Sequence, residues 1–407
     1  MTVARFSAGG ESADYVLARY VPDVDWKAAK QTRGDVVVVV DTSAAGDEAA
    51  HQLKTAAAES ILRALSGEDR FALVALDVRP TVLYPKDGLA KADDKEIEKA
   101  LESLADHAVG GATDLAALFD VALGRLHGAE QPAVVYVGDG IATSGAMSGE
   151  QLVERLRRAI GTSRARLFSV GVGTDAHYSL LGELARAGGG ISLRVDDAEQ
   201  TTARALELAA AIKTPTITDL EIDLGAGLDE PFSSAAGKVS RGAEVVVLAR
   251  THHEIPRMVK VRGRLGGEKF EQEYEVKRDG SILSNFVPRL WAAEYVKRLL
   301  GSASGPDAER GRIVALGVEY GLMTPFTSIL ALESESAYMR MGIPRKRTNL
   351  RGVRLGALTD DEERRAASRH AGIPAASLPF GCSKLERMAG DEAPAEQGVA
   401  TKSEPMA

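Results

Sequence analysis

The sequence predicts an α/β protein, in which a doubly wound and mostly parallel sheet precedes a smaller β-rich domain and C-terminal helices. Residues 35–212 alternate between strand-like and helix-like segments, and five successive valines occupy positions 36–40. Branched residues at every position suit a strand that is buried on both faces, as at the centre of a parallel sheet. After residue 213, β segments punctuated by glycine replace the alternation, which indicates a second domain.

The first domain is predicted over residues 33–212. Its strand candidates are 35–40, 71–78, 133–137, 166–170 and 191–195. Its helix candidates are 47–65, 94–105, 115–126, 150–160, 177–187 and 198–212. Helical crossovers between parallel strands cover both faces of a sheet, so this order predicts a doubly wound architecture. A short strand candidate at 82–84 follows the one at 71–78 closely, which predicts an antiparallel edge strand.

The remaining residues divide into four predicted segments. Residues 1–32 are predicted to be a remnant strand and linker, and residues 213–285 a β-rich segment with strand candidates at 217–224, 244–250, 258–264 and 270–276. Residues 286–342 are predicted to form a helical segment, with helices at 288–300 and 307–320. The polar tail, 343–407, has the composition of a largely disordered segment.

Composition excludes several classes of partner and chemistry. The 407-residue chain has a formal net charge of −8 and lacks a dominant basic block, which argues against nucleic acid as the main partner. Its single cysteine, Cys382, allows no internal disulfide. The first thirty residues contain no apolar run long enough for a signal peptide, and no apolar segment of the sequence approaches the length of a membrane span. We therefore expect a cytoplasmic protein, or a secreted or cell-envelope protein if the natural N-terminus lies further upstream.

Three loops carry hydroxyl and carboxylate side chains. Asp41 and Ser43 follow the five-valine strand, Thr113 follows two glycines just before a helix, and Asp139 stands between glycines after the strand at 133–137. In open α/β sheets, ligands bind at the carboxyl ends of the strands. Carboxylates and hydroxyls are hard oxygen ligands, suited to Mg²⁺, Mn²⁺ or Ca²⁺. The sequence therefore predicts a site for a hard divalent cation at this edge.

The spacing of these residues resembles the metal-ion-dependent adhesion site of von Willebrand factor type A domains, which have a Rossmann-like fold. The resemblance implies that Asp41, Ser43 and Thr113 hold a divalent cation and that Asp139 acts largely through water. It also implies that an acidic side chain of a partner protein completes the coordination. Ala45 stands where a second serine is usual, so the resemblance implies weaker metal binding or its loss.

A wider resemblance covers about residues 12–340. The segment Thr324-Pro325-Phe326-Thr327-Ser328 and the helix that contains Trp291 are similar to segments of inter-alpha-trypsin inhibitor heavy chains and their bacterial relatives. Those proteins usually open with a separate β domain, called VIT, and residues 13–20 are similar to its last strand. We therefore expect a chain that is naturally truncated or that begins at a late start codon.

The leading functional hypothesis is a non-enzymatic protein-binding module that uses a divalent cation, with Mg²⁺ as the first choice. One alternative is a structural interaction protein with a metal-free site. A third reading is a metal-dependent hydrolase, which is disfavoured because no nucleophile–base pair is evident and His107 is the one histidine near the three loops. Strand-end polar residues also cap helices, and this is the role predicted for Asp114.

Overall fold

A computed structural model describes residues 1–7, 14–29, 33–43, 48–144, 147–161, 163–235, 237–254, 256–279, 286–328 and 340. Ala45, Cys382 and the predicted tail 343–407 lie outside these residues.

The central sheet has seven strands, most of them parallel. Its order is β5-β4-β3-β7-β8-β9, and the short β6 pairs with β4. The strands are β3 (Gly34–Asp41), β4 (Arg70–Leu76), β5 (Thr81–Tyr84), β6 (Ala90–Lys91), β7 (Gln131–Gly138), β8 (Arg166–Val172) and β9 (Gly189–Val195). Strand β5 runs antiparallel to β4 at the edge of the sheet. The predicted doubly wound fold class and its antiparallel edge strand are therefore confirmed.

Six helices cover the two faces of this sheet. They are α1 (Glu48–Ala64), α2 (Asp94–Ala105), α3 (Leu115–Arg125), α4 (Gly149–Gly161), α5 (Tyr178–Ala187) and α6 (Ala198–Lys213). Apolar residues of α1, α2 and α6 share one core with the sheet, and those of α3, α4 and α5 share the other.

Strand β3 lies at the centre of the sheet, between β4 and β7, and all eight of its residues are buried. Its valines alternate between the two cores, with Val36, Val38 and Val40 in one and Val37 and Val39 in the other. Branched side chains suit both faces of such a strand, which explains why the sequence shows no polar alternation here. The apolar run ends at Asp41.

Strands that precede and strands that follow the central sheet in the chain form a β-sandwich. One sheet has the order β11-β13-β2-β1-β16 and the other β12-β10-β14-β15. The strands are β1 (Thr2–Ser7), β2 (Asp14–Tyr20), β10 (Thr216–Asp223), β11 (Leu228–Ser233), β12 (Val239–Ser240), β13 (Val245–Thr251), β14 (Met258–Leu265), β15 (Glu268–Glu275) and β16 (Lys277–Asp279). Buried residues of the two sheets, among them Val16, Ile217 and Val259, form one core.

The N-terminal strands belong to the same sheet as later strands that the sequence analysis assigned to a separate segment. The sequence set residues 1–32 apart from 213–285, whereas β2 pairs with β13 along its whole length, from Tyr20 opposite Val245 to Asp14 opposite Thr251. Strand β1 pairs on its other side with β16. Strands that are more than 220 residues apart leave no periodic signal of their pairing in the sequence. The sequence therefore could not predict that these two segments belong to one sheet.

The helical segment consists of α7 (Val287–Leu300) and α8 (Arg310–Tyr320), which pack together. Trp291 of α7 contacts Tyr15 of β2, with ring centroids 5.5 Å apart, and Tyr320 of α8, at 6.1 Å. After α8, the backbones of Thr324 and Thr327 exchange two hydrogen bonds, and the Thr327 hydroxyl donates to the Leu322 carbonyl. The residues of the Thr-Pro-Phe-Thr motif thus form a tight turn. None of the helices in the part of the chain that the structure describes has the length and apolar composition needed to span a bilayer.

Candidate functional site

Backbone hydrogen bonds join the predicted loops at the carboxyl edge of the central sheet. The Gly110 amide donates to the Thr42 carbonyl (3.2 Å), and the Ser144 amide donates to the Thr113 carbonyl (3.2 Å). The Asp114 amide bonds to the carbonyl of Asp77, in the loop after β4 (3.1 Å). The loops that follow β3, β4 and β7 and the loop that precedes α3 therefore form one continuous surface, which we call the carboxyl edge.

Asp41 is fully buried at this edge and is brought together with Thr113. Its Oδ1 accepts hydrogen bonds from the Ser43 amide (3.0 Å) and from the Thr113 hydroxyl (3.2 Å). Its Oδ2 accepts from the Tyr136 hydroxyl (3.3 Å). The side chain of Asp41 is thus fixed by three neighbours, two of which the sequence had grouped with it.

Asp139 lies on the far side of the same cluster. Its side chain is 15% exposed, and its Oδ1 accepts from the amide of Ile141 (2.9 Å). Glycines permit this close approach: a Cβ at position 138 would lie 2.6 Å from the Cβ of Asp41, and Gly140 has a φ of 70°. A side chain at either position would be strained or would displace a carboxylate.

Ser43 completes the predicted set but makes no side-chain contact with it. Its hydroxyl is buried and has no hydrogen-bond partner among the described residues, while its amide donates to Asp41. The structure therefore brings Asp41, Thr113 and Asp139 into one cluster and places Ser43 at its margin with an unused hydroxyl. Asp114 has the capping role predicted for it, since its carboxylate accepts from the Ala116 amide at the start of α3.

Lys54 is a member of this cluster that the sequence analysis missed. Its side chain is 2% exposed, and its Nζ lies 3.3 Å from Asp41 Oδ2 and 3.1 Å from Asp139 Oδ2. Both acids therefore pair with the same ammonium group. The sequence did contain a signal: Lys54 stands three and four residues before Ala57 and Ala58, on the buried stripe of α1. A lysine on the apolar stripe of a helix requires a buried partner for its charge.

Two further ionisable groups respond to this cluster. Burial, followed by the charges of Asp41 and Asp139, raises the pKa of Tyr136 well above its ordinary value. Tyr136 therefore remains a protonated donor to Asp41. Burial and the nearby Lys54 ammonium lower the pKa of His51, so this imidazole is neutral at pH 7.

A divalent cation does not fit this arrangement as it stands. Mg²⁺ requires oxygen ligands at about 2.1 Å in octahedral array, and an ammonium group already lies between the two carboxylates that would supply charge. Among the described residues, no group of three or more His, Cys, Asp or Glu side chains is placed to hold a metal ion. Asp41, Thr113 and Asp139 are brought together, but the position between the two carboxylates is taken by the Lys54 ammonium.

Exposed apolar side chains lie on the same loops as the buried polar cluster. Val78, Val109, Ile141 and Met147 are each at least 40% exposed and lie on loops of the carboxyl edge. A Cβ at Gly111 would meet Val78 at 2.8 Å, so the loops after β4 and before α3 are in contact. Large apolar side chains grouped at a sheet edge are typical of surfaces that bind other proteins.

The fold of the central sheet and the residues of the carboxyl edge are similar to those of von Willebrand factor type A domains. Residues 34–193 match the family model described as von Willebrand factor type A domain. A solved structure, a von Willebrand factor type A protein from Catenulispora acidiphila, superposes with a TM-score of 0.52 at 15% identity and covers 78% of this chain and 86% of that one. This second likeness concerns the fold alone.

About three quarters of the chain is similar to inter-alpha-trypsin inhibitor heavy chains, as the sequence motifs indicated. It is 26% identical to heavy chain H4 of Sus scrofa over 347 residues, which cover 79% of this chain and 37% of that relative. It is 24% identical to the human H4 chain over 327 residues, which cover 74% of this chain and 35% of that one. The chain therefore spans little more than a third of the length of these curated relatives.

Proposed function

We propose that this protein is a non-enzymatic binding module, which engages a partner protein through the carboxyl edge of its type A domain. The observation that carries the proposal is the exposure of four apolar side chains, Val78, Val109, Ile141 and Met147, on the loops of the edge that also holds the Asp41–Lys54–Asp139 cluster. An apolar rim would supply contact area, and the polar groups beside it would set the orientation of the partner.

An enzymatic role has little chemical support at this edge. The hydroxyl of Ser43 has no hydrogen bond to a base in the described part of the chain, and the Thr113 hydroxyl donates to a carboxylate that is already paired with Lys54. Neither hydroxyl is therefore activated as a nucleophile.

The proposal is tested by changing the exposed apolar side chains of the carboxyl edge without changing the buried cluster. Immobilised wild-type protein and an Ile141→Glu/Val109→Glu variant would be exposed to extract of the source cells, and the retained proteins identified by mass spectrometry. We expect the variant to lose a partner that the wild type retains, because charged side chains on the rim oppose apolar contact.

Leu206→Glu is the matched control, since Leu206 is also an exposed apolar residue but lies on α6, away from the carboxyl edge. Retention of the same proteins by the wild type and the edge variant would contradict the proposed surface.

A second candidate is the metal-dependent form of the same module, in which Asp41, Ser43, Thr113 and Asp139 would hold Mg²⁺ and a partner would contribute a carboxylate. The unpartnered, buried hydroxyl of Ser43 favours it, because such a group is costly to bury without a partner. This form requires the ammonium of Lys54 to leave its place between the two acids.

Calorimetric titration of Mg²⁺ into the wild type and Asp41→Ala tests this second candidate. A saturable heat in the wild type that disappears in the variant would support it, and Ala45→Ser should then bind the ion more tightly. Equal heats, or none in either protein, would contradict it.

A further inference from the structure

We infer that the Lys54 ammonium is the resident cation of this site and takes the place of a divalent metal ion. The inference concerns the charge inside the cluster, and it holds whether or not the carboxyl edge binds a protein. Its starting point is geometric: one Nζ lies within 3.3 Å of a carboxylate oxygen of Asp41 and of Asp139 at the same time.

Burial of the lysine supports this role. A lysine side chain is long enough to carry its ammonium to solvent, and burial of an unpaired charge is strongly destabilising. Lys54 is nevertheless 2% exposed, and its two acidic partners come from β3 and from the loop after β7. Such a placement is stable because the ammonium neutralises charge that the two carboxylates bring into the interior.

The acceptor capacity of Asp41 supports it further. An ionised carboxylate offers about four lone-pair positions. In Asp41 these positions face the Ser43 amide, the Thr113 hydroxyl, the Tyr136 hydroxyl and the Lys54 ammonium. No position on this carboxylate is left for an ion unless one of these donors is displaced. Position 45, where the type A motif usually has a second serine ligand, is alanine, so an incoming ion would gain one oxygen fewer in exchange.

The buried ammonium determines how the carboxyl edge can bind a partner protein. The positive charge is covered by the protein and offers no open coordination position to a partner's carboxylate. Contacts at the carboxyl edge are then made by the loops themselves, and binding of a partner should not depend on Mg²⁺ or be reversed by a chelator. This behaviour separates the lysine-held site from the metal-dependent form.

The test is a comparison of metal binding by chelator-treated wild type, Lys54→Met and Lys99→Met, with MgCl₂ and MnCl₂ as the titrants in calorimetry. Lys99 is the matched control because its ammonium pairs with the carboxylate of Glu96 on the exposed side of α2. We expect no saturable heat from the wild type or Lys99→Met. In Lys54→Met the freed carboxylates should bind one ion, at least about tenfold more tightly than the wild type does.

Two results would overturn the inference. In the first, the wild type binds a single ion, and Lys54→Met binds that ion with the same affinity or more weakly. In the second, Lys54→Met folds but binds no metal ion. The position of the ammonium would then not be one that a metal ion can occupy.

If Lys54→Met does not fold, the melting temperature of the wild type provides the test instead. The melting temperature of the wild type should be the same in MgCl₂, in chelator and in KCl of matched ionic strength, since an ion that binds the folded state raises it. A rise that is specific to the divalent salt would contradict the inference on its own.

Discussion

Tyr136 illustrates how single residues fix the geometry of the site. Its buried hydroxyl donates to Asp41 Oδ2 and accepts from the Gly140 amide (3.1 Å), so it links Asp41 of β3 to the loop that follows β7. Burial and the charges of Asp41 and Asp139 raise the pKa of this hydroxyl well above its ordinary value, so it is protonated at neutral pH. The residue therefore acts as a neutral spacer between charged groups.

Replacement of Tyr136 by phenylalanine should lower the free energy of unfolding by about 1–3 kcal/mol, because the amide of Gly140 loses its acceptor and Asp41 loses a donor. Urea denaturation at pH 7 measures the change. Tyr84→Phe is the control, since the Tyr84 hydroxyl bonds to Glu96 near solvent and its loss should cost less. Equal losses in the two variants would contradict the assigned role.

Asp69 holds three parts of the type A domain together at the opposite end of the sheet. It is fully buried, and it accepts from the Gly34 amide (2.7 Å) and from both the amide and the hydroxyl of Ser66 (2.8 Å each). The ammonium of Lys213 lies 3.0 Å from its Oδ2. Burial is the largest influence and raises the pKa of Asp69, but these hydrogen bonds together outweigh it and lower the pKa below its usual value.

A lowered pKa in the folded state means that Asp69 stabilises the protein above its unfolded pKa of about 4, and that this contribution is lost as the pH falls through the folded value. Asp69→Asn should therefore unfold at a lower denaturant concentration than the wild type at pH 7, and the gap should narrow below about pH 4. Asp120→Asn, at an exposed position paired with Arg155, should show almost no gap. A gap in Asp69→Asn that is independent of pH would rule out this account.

At the scale of elements, α7 is positioned by one aromatic side chain. Trp291 lies 2% exposed among the rings of Tyr15, Phe232 and Tyr320, and the guanidinium of Arg250 lies 5.2 Å from its ring centroid. Its indole N–H donates to the Glu230 carbonyl (3.1 Å). One side chain therefore joins α7 and α8 to strands β2, β11 and β13.

Trp291→Ala should destabilise the protein by about 3–5 kcal/mol, because it removes a large buried ring and leaves a cavity between the helices and the sandwich. Leu290→Ala on the same helix is the control, since Leu290 is an exposed neighbour and its truncation should cost about 0.5 kcal/mol or less. Thermal unfolding followed by circular dichroism gives both values. Similar melting temperatures for the two variants would contradict the role of Trp291.

At the scale of the whole molecule, buried cations connect the sandwich to the type A domain. Lys238, beside β12, donates to the carbonyls of Ile160 (3.1 Å) and Ala165 (2.8 Å), at the end of α4 and before β8. Arg166 of β8 donates to the carbonyls of Ala211 and Ile212 near the end of α6 and to the Ser240 hydroxyl of β12 (3.5 Å). Burial, followed by the charge of Arg166, lowers the pKa of Lys238 to about 8.

The lowered pKa of Lys238 predicts how the stability of the connection depends on pH. Between about pH 8 and 10.4 the unfolded chain holds a proton on Lys238 that the folded chain has lost, so the free energy of unfolding rises with pH, by at most about 1.4 kcal/mol per unit. Below pH 8 the cost of burying the charge is fully present. The difference in stability between the wild type and Lys238→Met, measured in urea from pH 7 to 10, should therefore shift in favour of the wild type. A constant difference over this range would contradict the buried-ammonium account.

The sequence by itself determined the type A fold and three members of the site. The valine run of β3 predicted a strand that is buried on both faces. Polar residues follow this strand and the neighbouring strands, and the carboxyl ends of parallel strands lie at one edge of the sheet. Periodicity and strand-end chemistry are local properties, and they are readable from the chain. The capping role of Asp114 was predicted correctly for the same reason.

Only the tertiary structure decided what the assembled groups do. The pairing of β2 with β13 joins segments more than 220 residues apart, and the contact of Lys54 with Asp41 and Asp139 depends on how α1 packs against the sheet. The sequence shows which side chains carry charge and oxygen, but distances between elements are set by packing. The cation inside this site is therefore a property of the folded chain, in which helix α1 carries an ammonium to the place where the strands deliver two carboxylates.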